Sequence, residues 1–393
     1  MHHEATLSRR EVSAAMDAMV DRIDATLAET GERFPFWADP ETGAWETLAD
    51  GNWCGGHWVG LLWLASERAG SAADRERFAA AAYDHVETLR ESGVVESMFG
   101  GMSFLYAGFR GYDVTGDRSL FGDGLAAADT MVELYDETAR QIPLGEYEVA
   151  GPDEFDMHGS DEAGETVSTH TSAVDCIYTT LPVLWRAFEE TGDTRFRDVA
   201  LSHADRHLDL YIRDDGRIYN LAEFDAETGG VVDRYNHLAH SNETCWARGV
   251  GWNVAGLARA YAETGAERFL STLELCVDYY VERSPEDLVP YWDFEAPGIP
   301  DEPRDTSSAG LVAYGLTLLD GDGERERALR QTGEAVLASL VEDYLVTDAE
   351  DDRRGMVLHG CYDKPGEYAT DNELVWTDYY VAYALHDLLA RTD

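Results

Sequence analysis

In one segment of this chain after another, apolar side chains return every three or four residues, the interval of a single face of an α-helix. Residues 8–29 set the pattern: Ser8 and Glu11 have the spacing of a capping box, and Val12, Met16, Met19, Val20, Ile23 and Leu27 follow as an apolar stripe. Comparable stripes cover 58–68, 78–90, 120–138, 174–190, 196–211, 250–263, 270–282, 306–319, 325–344 and 376–390. Strand-like alternation is scarce, and is clearest over 218–224. Three helices end alike, in Tyr112-Asp-Val-Thr-Gly-Asp117, Phe188-Glu-Glu-Thr-Gly-Asp193 and Tyr261-Ala-Glu-Thr-Gly-Ala266, each with a glycine where a left-handed C-cap is needed. These sites lie roughly seventy-five residues apart, about two helical hairpins, so the chain is expected to form an all-α toroid of paired helices. Long, aromatic, irregular connections favour a closed barrel with a site at one end over an open solenoid. With no Pro-, Ser- or Gly-rich linker, residues 1–393 read as one domain.

Against 77 Asp and Glu stand 30 Lys and Arg, a formal charge of -47, and Lys364 is the only lysine. The acids are interleaved with the apolar stripes, so they belong to a folded surface and not to a disordered tail. Such a field repels nucleic acid and anionic membranes, and neither is expected as a partner. It suits a halophilic protein in molar salt, where screening relieves self-repulsion. Arg9-Arg10 precedes an acidic amphipathic segment with no apolar core, so export is not expected, and no apolar run is long enough to span a bilayer. Five cysteines without CxxC spacing suit reduced thiols and a cytoplasmic location. His203 and His207 share a helix face but have no third ligand nearby in sequence.

Aromatic residues gather in the irregular segments: Trp53 and Trp58, Trp246 and Trp252, Tyr291 and Trp292, Trp376 with Tyr379 and Tyr380. A single tryptophan is most often core, but a set attached to Gly-rich turns points to the apolar faces of sugar rings.

Several segments together resemble a known family. Gly51 to Glu67 (GNWCGGHWVGLLWLASE), Val174 to Trp185 (VDCIYTTLPVLW), Cys245-Trp-Ala-Arg-Gly249 with Trp252, Pro290 to Pro297 (PYWDFEAP), Pro303 to Ala309 (PRDTSSA), His359-Gly-Cys-Tyr362 and Trp376-Thr-Asp-Tyr-Tyr380 are similar, in order, to the unsaturated glucuronyl hydrolases of glycoside hydrolase family 88. Arg248 to Trp252 also resembles the related unsaturated rhamnogalacturonyl hydrolases. The resemblance implies an (α/α)6 barrel that hydrates the C4=C5 double bond of a terminal unsaturated uronic acid, needing no metal or organic cofactor. The oligosaccharide is then the only partner, and the enzyme a monomer or homodimer. It assigns the acid to Asp175 and substrate binding to Trp53, His57, Trp58, Asn220, His240, Glu243, Trp246, Arg248, Trp252, Trp292 and Trp376. Arg248 suits a uronate, because guanidinium pairs bidentately with a carboxylate.

Two features complicate Asp175. Ser172 and Asp175 have capping-box spacing, and a helix N-terminus lowers a carboxyl pKa where a general acid needs it raised. The family's second aspartate, which can supply a raising charge, falls at Gly101; carboxylates in 151–162, His170 or Glu243 are the candidates to replace it. The alternatives to hydrolysis are a sugar epimerase or isomerase on the same barrel, using His237 and His240, and a carbohydrate-binding relative without activity. The charge yields a first prediction: moving the protein from molar KCl to dilute buffer should abolish much of its far-ultraviolet circular dichroism.

Overall fold

Ser8 does cap the first helix, its side chain and that of Glu11 each accepting from the other's backbone, and α1 (Arg9–Thr30) turns Val12, Met16, Met19 and Ile23 inward. The computed structural model describes residues 6–144 and 170–391. Across them, outer and inner helices alternate. Outer α1 is followed by inner α2 (Gly55–Arg68), and outer α3 (Ala72–Glu91) by an inner rod of α4 (Met98–Phe104), a π-helical turn and α5 (Arg110–Thr115). Outer α6 (Arg118–Leu134) precedes the inner pair α7 (Cys176–Thr179) and α8 (Leu181–Thr191). Then come α9 (Thr194–Tyr211) with α10 (Ala247–Thr264), α11 (Glu267–Arg283) with α12 (Thr306–Thr317), and α13 (Glu324–Ser339) with α14 (Val375–Arg391).

The inner helices close a ring: α2 packs on α4, α4 on α7, α7 on α10, α10 on α12, α12 on α14, and α14 back on α2. This is the (α/α)6 barrel. The two layers differ in sequence as their surroundings require. Inner α2 is buried from Gly55 to Ser66 without a polar face, whereas outer α9 buries Phe196, Ala200, His203, Ala204, His207 and Tyr211 along one stripe. One apolar cluster runs from Val12 to Leu389.

Glycine lets the inner helices approach. A Cβ on Gly56 of α2 would stand 2.5 Å from Ser103 Cα, and one on Gly315 of α12 would stand 2.6 Å from Ala255 Cα of α10. The same economy hides the inner rod 98–115 from sequence reading. Its Gly100, Gly101, Gly108 and Gly111 look like a loop by propensity, yet all are buried at helix contacts.

Three other expectations need correction. Gly116, Gly192 and Gly265 do carry positive φ at helix C-caps, but they end successive inner rods, so the interval is one hairpin enlarged by its loop and not two. The stripe at 174–190 is two helices. Pro182 has no N–H to continue the ladder, and the rod breaks at Thr180. The strand expected at 218–224 is confined to 221–224.

Two small antiparallel sheets sit where inner helices begin. In one, β1 (Phe34–Ala38) lies between β2 (Trp45–Leu48) and β6 (Glu373–Leu374), which runs directly into α14. In the other, β4 (Leu221–Phe224) lies between β3 (Thr171–Ala173) and β5 (Val231–Tyr235). Among the described residues no helix is long and apolar enough to cross a membrane. Gly315→Ala should destabilise the barrel by about 1–3 kcal/mol, because backbone faces the added methyl; urea denaturation in molar KCl measures it.

Candidate active site

The N-terminal ends of the inner helices meet at one mouth of the barrel. Trp53 precedes α2, Phe99 opens α4, Asp175 precedes α7, Trp246 and Arg248 start α10, Asp305 caps α12 and Trp376 starts α14. The aromatic rings form a collar. Trp53 lies 4.7 Å from Trp376, 5.7 Å from Phe99 and 5.9 Å from Tyr362, on which it stacks. The Arg248 guanidinium lies over Trp246, Tyr362 and Trp376 at 4.7, 5.3 and 5.9 Å.

Asp175 is placed by the second sheet. β3 pairs with β4, Val174 N–H donates to Asn220 O (2.8 Å), and the Asp175 carbonyl accepts from Tyr178 and Thr179 to begin α7. The capping box with Ser172 does not form. Ser172 is a strand residue whose hydroxyl bonds Tyr211 and Gln141, and the Asp175 side chain caps nothing. Asp175 Oδ1 is instead enclosed without a hydrogen-bond partner. Burial pushes the carboxyl up to about 7, against the opposing charge of Arg248. The difficulty posed by a helix N-terminus is thus resolved by desolvation.

No second carboxylate stands at Gly101, and none fits. A Cβ there would lie 2.7 Å from Thr179 O and 3.1 Å from Thr180 Cα. The acidic segment 151–162 lies outside the described residues.

Arg248 is buried and occupied. Nη1 donates to Cys361 O and Nη2 to Tyr362 O, both at 2.6 Å, and Nη1 lies 3.7 Å from Asp305 Oδ2. It brings positive charge to the site, and each terminal nitrogen holds a carbonyl of the 361–362 backbone with one of its two N–H groups. His57 is neutral. Its Nδ1 faces the Cys54 carbonyl, which can only accept, so Nε2 is the acceptor for Tyr380 O–H at 3.1 Å, and burial lowers the imidazole pKa to about 3.

The remaining expected residues scatter. Asn220 is buried beside Val174 with its Oδ1 unbonded. Trp246 and Trp376 join the collar, while Trp252 packs deeper on Tyr178 and Tyr380. Trp58 faces the outer layer, its indole bonded to His85 of α3. Trp292 is buried and donates to Glu302 (2.8 Å). His240 and Glu243 are exposed on the turn before α10. There the His240 N–H donates to Asp293, and Arg217 binds the Glu243 carbonyl. His237 is exposed on the same turn, and His207 bonds Asn253 in the core. Among the described residues no group of three His, Cys, Asp or Glu side chains is placed to hold a metal, and the five cysteines are free and buried. Sequence reading passed over Tyr362 and Asp305. Both lie in quoted motifs, and a buried arginine demands an anionic partner, which was the available signal.

The raised acid has a thermodynamic consequence. Between about pH 4 and 7 the unfolded chain releases the Asp175 proton and the folded chain keeps it, so stability falls as pH rises through this window. Asp175→Asn should remove that loss. Its melting temperature should exceed that of the wild type at pH 8, by at most about 4 kcal/mol of stability, and the advantage should vanish near pH 4.

Comparison with known proteins agrees with this geometry. An unsaturated chondroitin disaccharide hydrolase of Streptococcus pneumoniae is 28% identical over 388 residues, covering 96% of this chain and 92% of the relative. An unsaturated glucuronyl hydrolase of Bacillus sp. (strain GL1) is 29% identical over 366 residues, covering 91% and 92%. The crystal structure of the Bacillus sp. GL1 enzyme matches with a TM-score of 0.82 at 26% identity, covering 96% of each chain. The model of Glycosyl Hydrolase Family 88 matches residues 59–388, and the chain belongs to that family.

Proposed function

We propose that this enzyme hydrolyses short oligosaccharides ending in a C4=C5 unsaturated uronic acid, by hydrating the double bond. The carrying observation is Asp175, a carboxyl with Oδ1 enclosed and unpartnered and its pKa pushed by burial to about 7, at the helix ends that also carry the aromatic collar. Retaining and inverting glycosidases use two carboxylates flanking the scissile bond. Here the position that matches the family's second carboxylate is Gly101, and Asp305 is buried with Oδ1 engaged by Ser307. Hydration needs only one acid. Asp175 delivers its proton to C4, and the carboxylate so formed takes a proton from the water that adds at C5. The hemiketal opens, and the glycosidic bond breaks with it. The names of the relatives, which act on unsaturated chondroitin disaccharides and unsaturated glucuronides, support the same substrate class.

Trp53, Trp246 and Trp376, almost fully buried in the collar, are the aromatic surface against which we place the sugar, with the enclosed Asn220 Oδ1 as an acceptor for a hydroxyl. Positive charge for the uronate comes from Arg248 and from inner-helix N-termini, which carry the positive ends of their dipoles. In so acidic a chain this local field matters, and added salt should lower KM by screening the rest. We read the chain as one cytoplasmic domain of a halophile, a monomer or homodimer acting on a small soluble substrate. The exposed His237 and His240 lend no support to epimerase chemistry.

The decisive assay follows the ultraviolet absorbance of the unsaturated uronide in molar KCl, over a panel of unsaturated disaccharides. The wild type should abolish it, with an alkaline limb near pH 7, and Asp175→Asn should be slower by about 10²-fold or more. Wild-type inactivity on every disaccharide rejects the function. An active Asn variant rejects the assignment of the acid.

A further inference from the structure

Two carboxyls, Asp305 fully buried and Asp175 with its Oδ1 enclosed, share one cation at the site. Arg248 Nη1 is 3.7 Å from Asp305 Oδ2, and the same charge acts on Asp175. The guanidinium is held in place by its bonds to the carbonyls of Cys361 and Tyr362. The two carboxyls are solvated very differently by the protein. Asp305 Oδ1 accepts from Ser307 N (3.0 Å), Ser307 Oγ (2.5 Å) and Cys361 N (3.3 Å), whereas Asp175 Oδ1 accepts from nothing. Burial raises both carboxyls, but Arg248 and the bonds from Ser307 and Cys361 oppose it at Asp305, whereas Asp175 is pushed up to about 7; of the two, Asp305 is the one that more readily carries the negative charge and Asp175 the proton.

Capping α12 does not by itself require a charge there. Serine or asparagine caps a helix equally well, without burying an ion. Asp305 nevertheless keeps Oδ2 without a hydrogen bond, completely enclosed and turned to the guanidinium.

We propose that Asp305 is a positioning residue for the reaction, acting through Arg248: it absorbs the charge of the guanidinium and helps anchor it on the 361–362 backbone, leaving Asp175 as the unpaired acid. It performs from behind Arg248 what no side chain can perform from Gly101. The other titratable neighbours stay neutral. Asp175 is faced by Tyr380, Tyr211 and Cys176, and Asp305 by Tyr280 and Cys361, and burial raises the pKa of every one of them. The electrostatics near pH 7 therefore reduce to two carboxyls and one guanidinium.

This inference rests on the proposed hydration reaction, and its test separates the two. The pH profile of kcat/KM is measured by loss of ultraviolet absorbance in molar KCl for wild type, Asp305→Asn, Asp305→Ser and Asp305→Glu, with folding checked by circular dichroism. The Asn and Ser variants keep a helix cap but free the charge of Arg248 to act on Asp175. Their alkaline limbs should move to lower pH by about one unit. The Glu variant keeps the charge, and its limb should stay where the wild type has it, even if its rate falls. A folded, active neutral variant with an unmoved limb overturns the proposal, as does a uniform loss at every pH or an equal shift in the Glu variant. Failure of both neutral variants to fold overturns it too, since Asp305 would then serve the fold. Wild-type inactivity on all unsaturated disaccharides would instead bring down the hydration reading, and this inference with it.

Discussion

Everything at the mouth of this barrel depends on how closely the inner helices approach one another. Where Gly56 meets Ser103 and Gly315 meets Ala255, backbones lie at separations that no Cβ would tolerate. The ring is therefore narrow, and helix starts far apart in sequence come together over a small area. Trp53, Asp175, Arg248, Asp305 and Trp376 are neighbours for that reason alone. A wider ring built of larger side chains would leave the same residues in solvent, with no desolvation to hold a carboxyl protonated.

The acidic surface and the nearly neutral site obey different electrostatics. Outside, water and salt screen a charge of -47, and ion pairs such as Arg195–Asp129 and Arg197–Asp198 are exposed contacts of small individual value. Inside, desolvation raises two acids, and a single guanidinium with three carbonyl or carboxylate neighbours opposes it. Desolvation is the larger influence on Asp175, and the position of Arg248 limits how far that influence is cancelled.

Much of the fold was legible because outer helices need an apolar stripe and a polar face, and that pattern survives in any single sequence. The inner rod 98–115 escaped because its glycines signal helix breaking until a neighbouring helix is present to require them. The same division holds at the site. Asp175, Trp53 and Trp376 were reached through motifs that resemble a family, while Trp58, in the same motif as Trp53, proved to face outward onto His85. Trp58 lies five residues further on, inside α2, and at about 100° per helical residue spacing alone does not say which side is the mouth. The Arg248–Asp305 contact was harder still: it joins two helices through a third loop, and no local pattern announces it.

Gly101 shows that the single-carboxylate site is written into the spacing of the backbone. A carboxylate at this position would have to displace Thr179 and Thr180, which continue the short helix that begins just after Asp175. Restoring a second acid would thus disturb the first. With the two helices closed over this glycine, a second acid is more than one substitution away, and any tuning of Asp175 has to come from another direction, through Arg248.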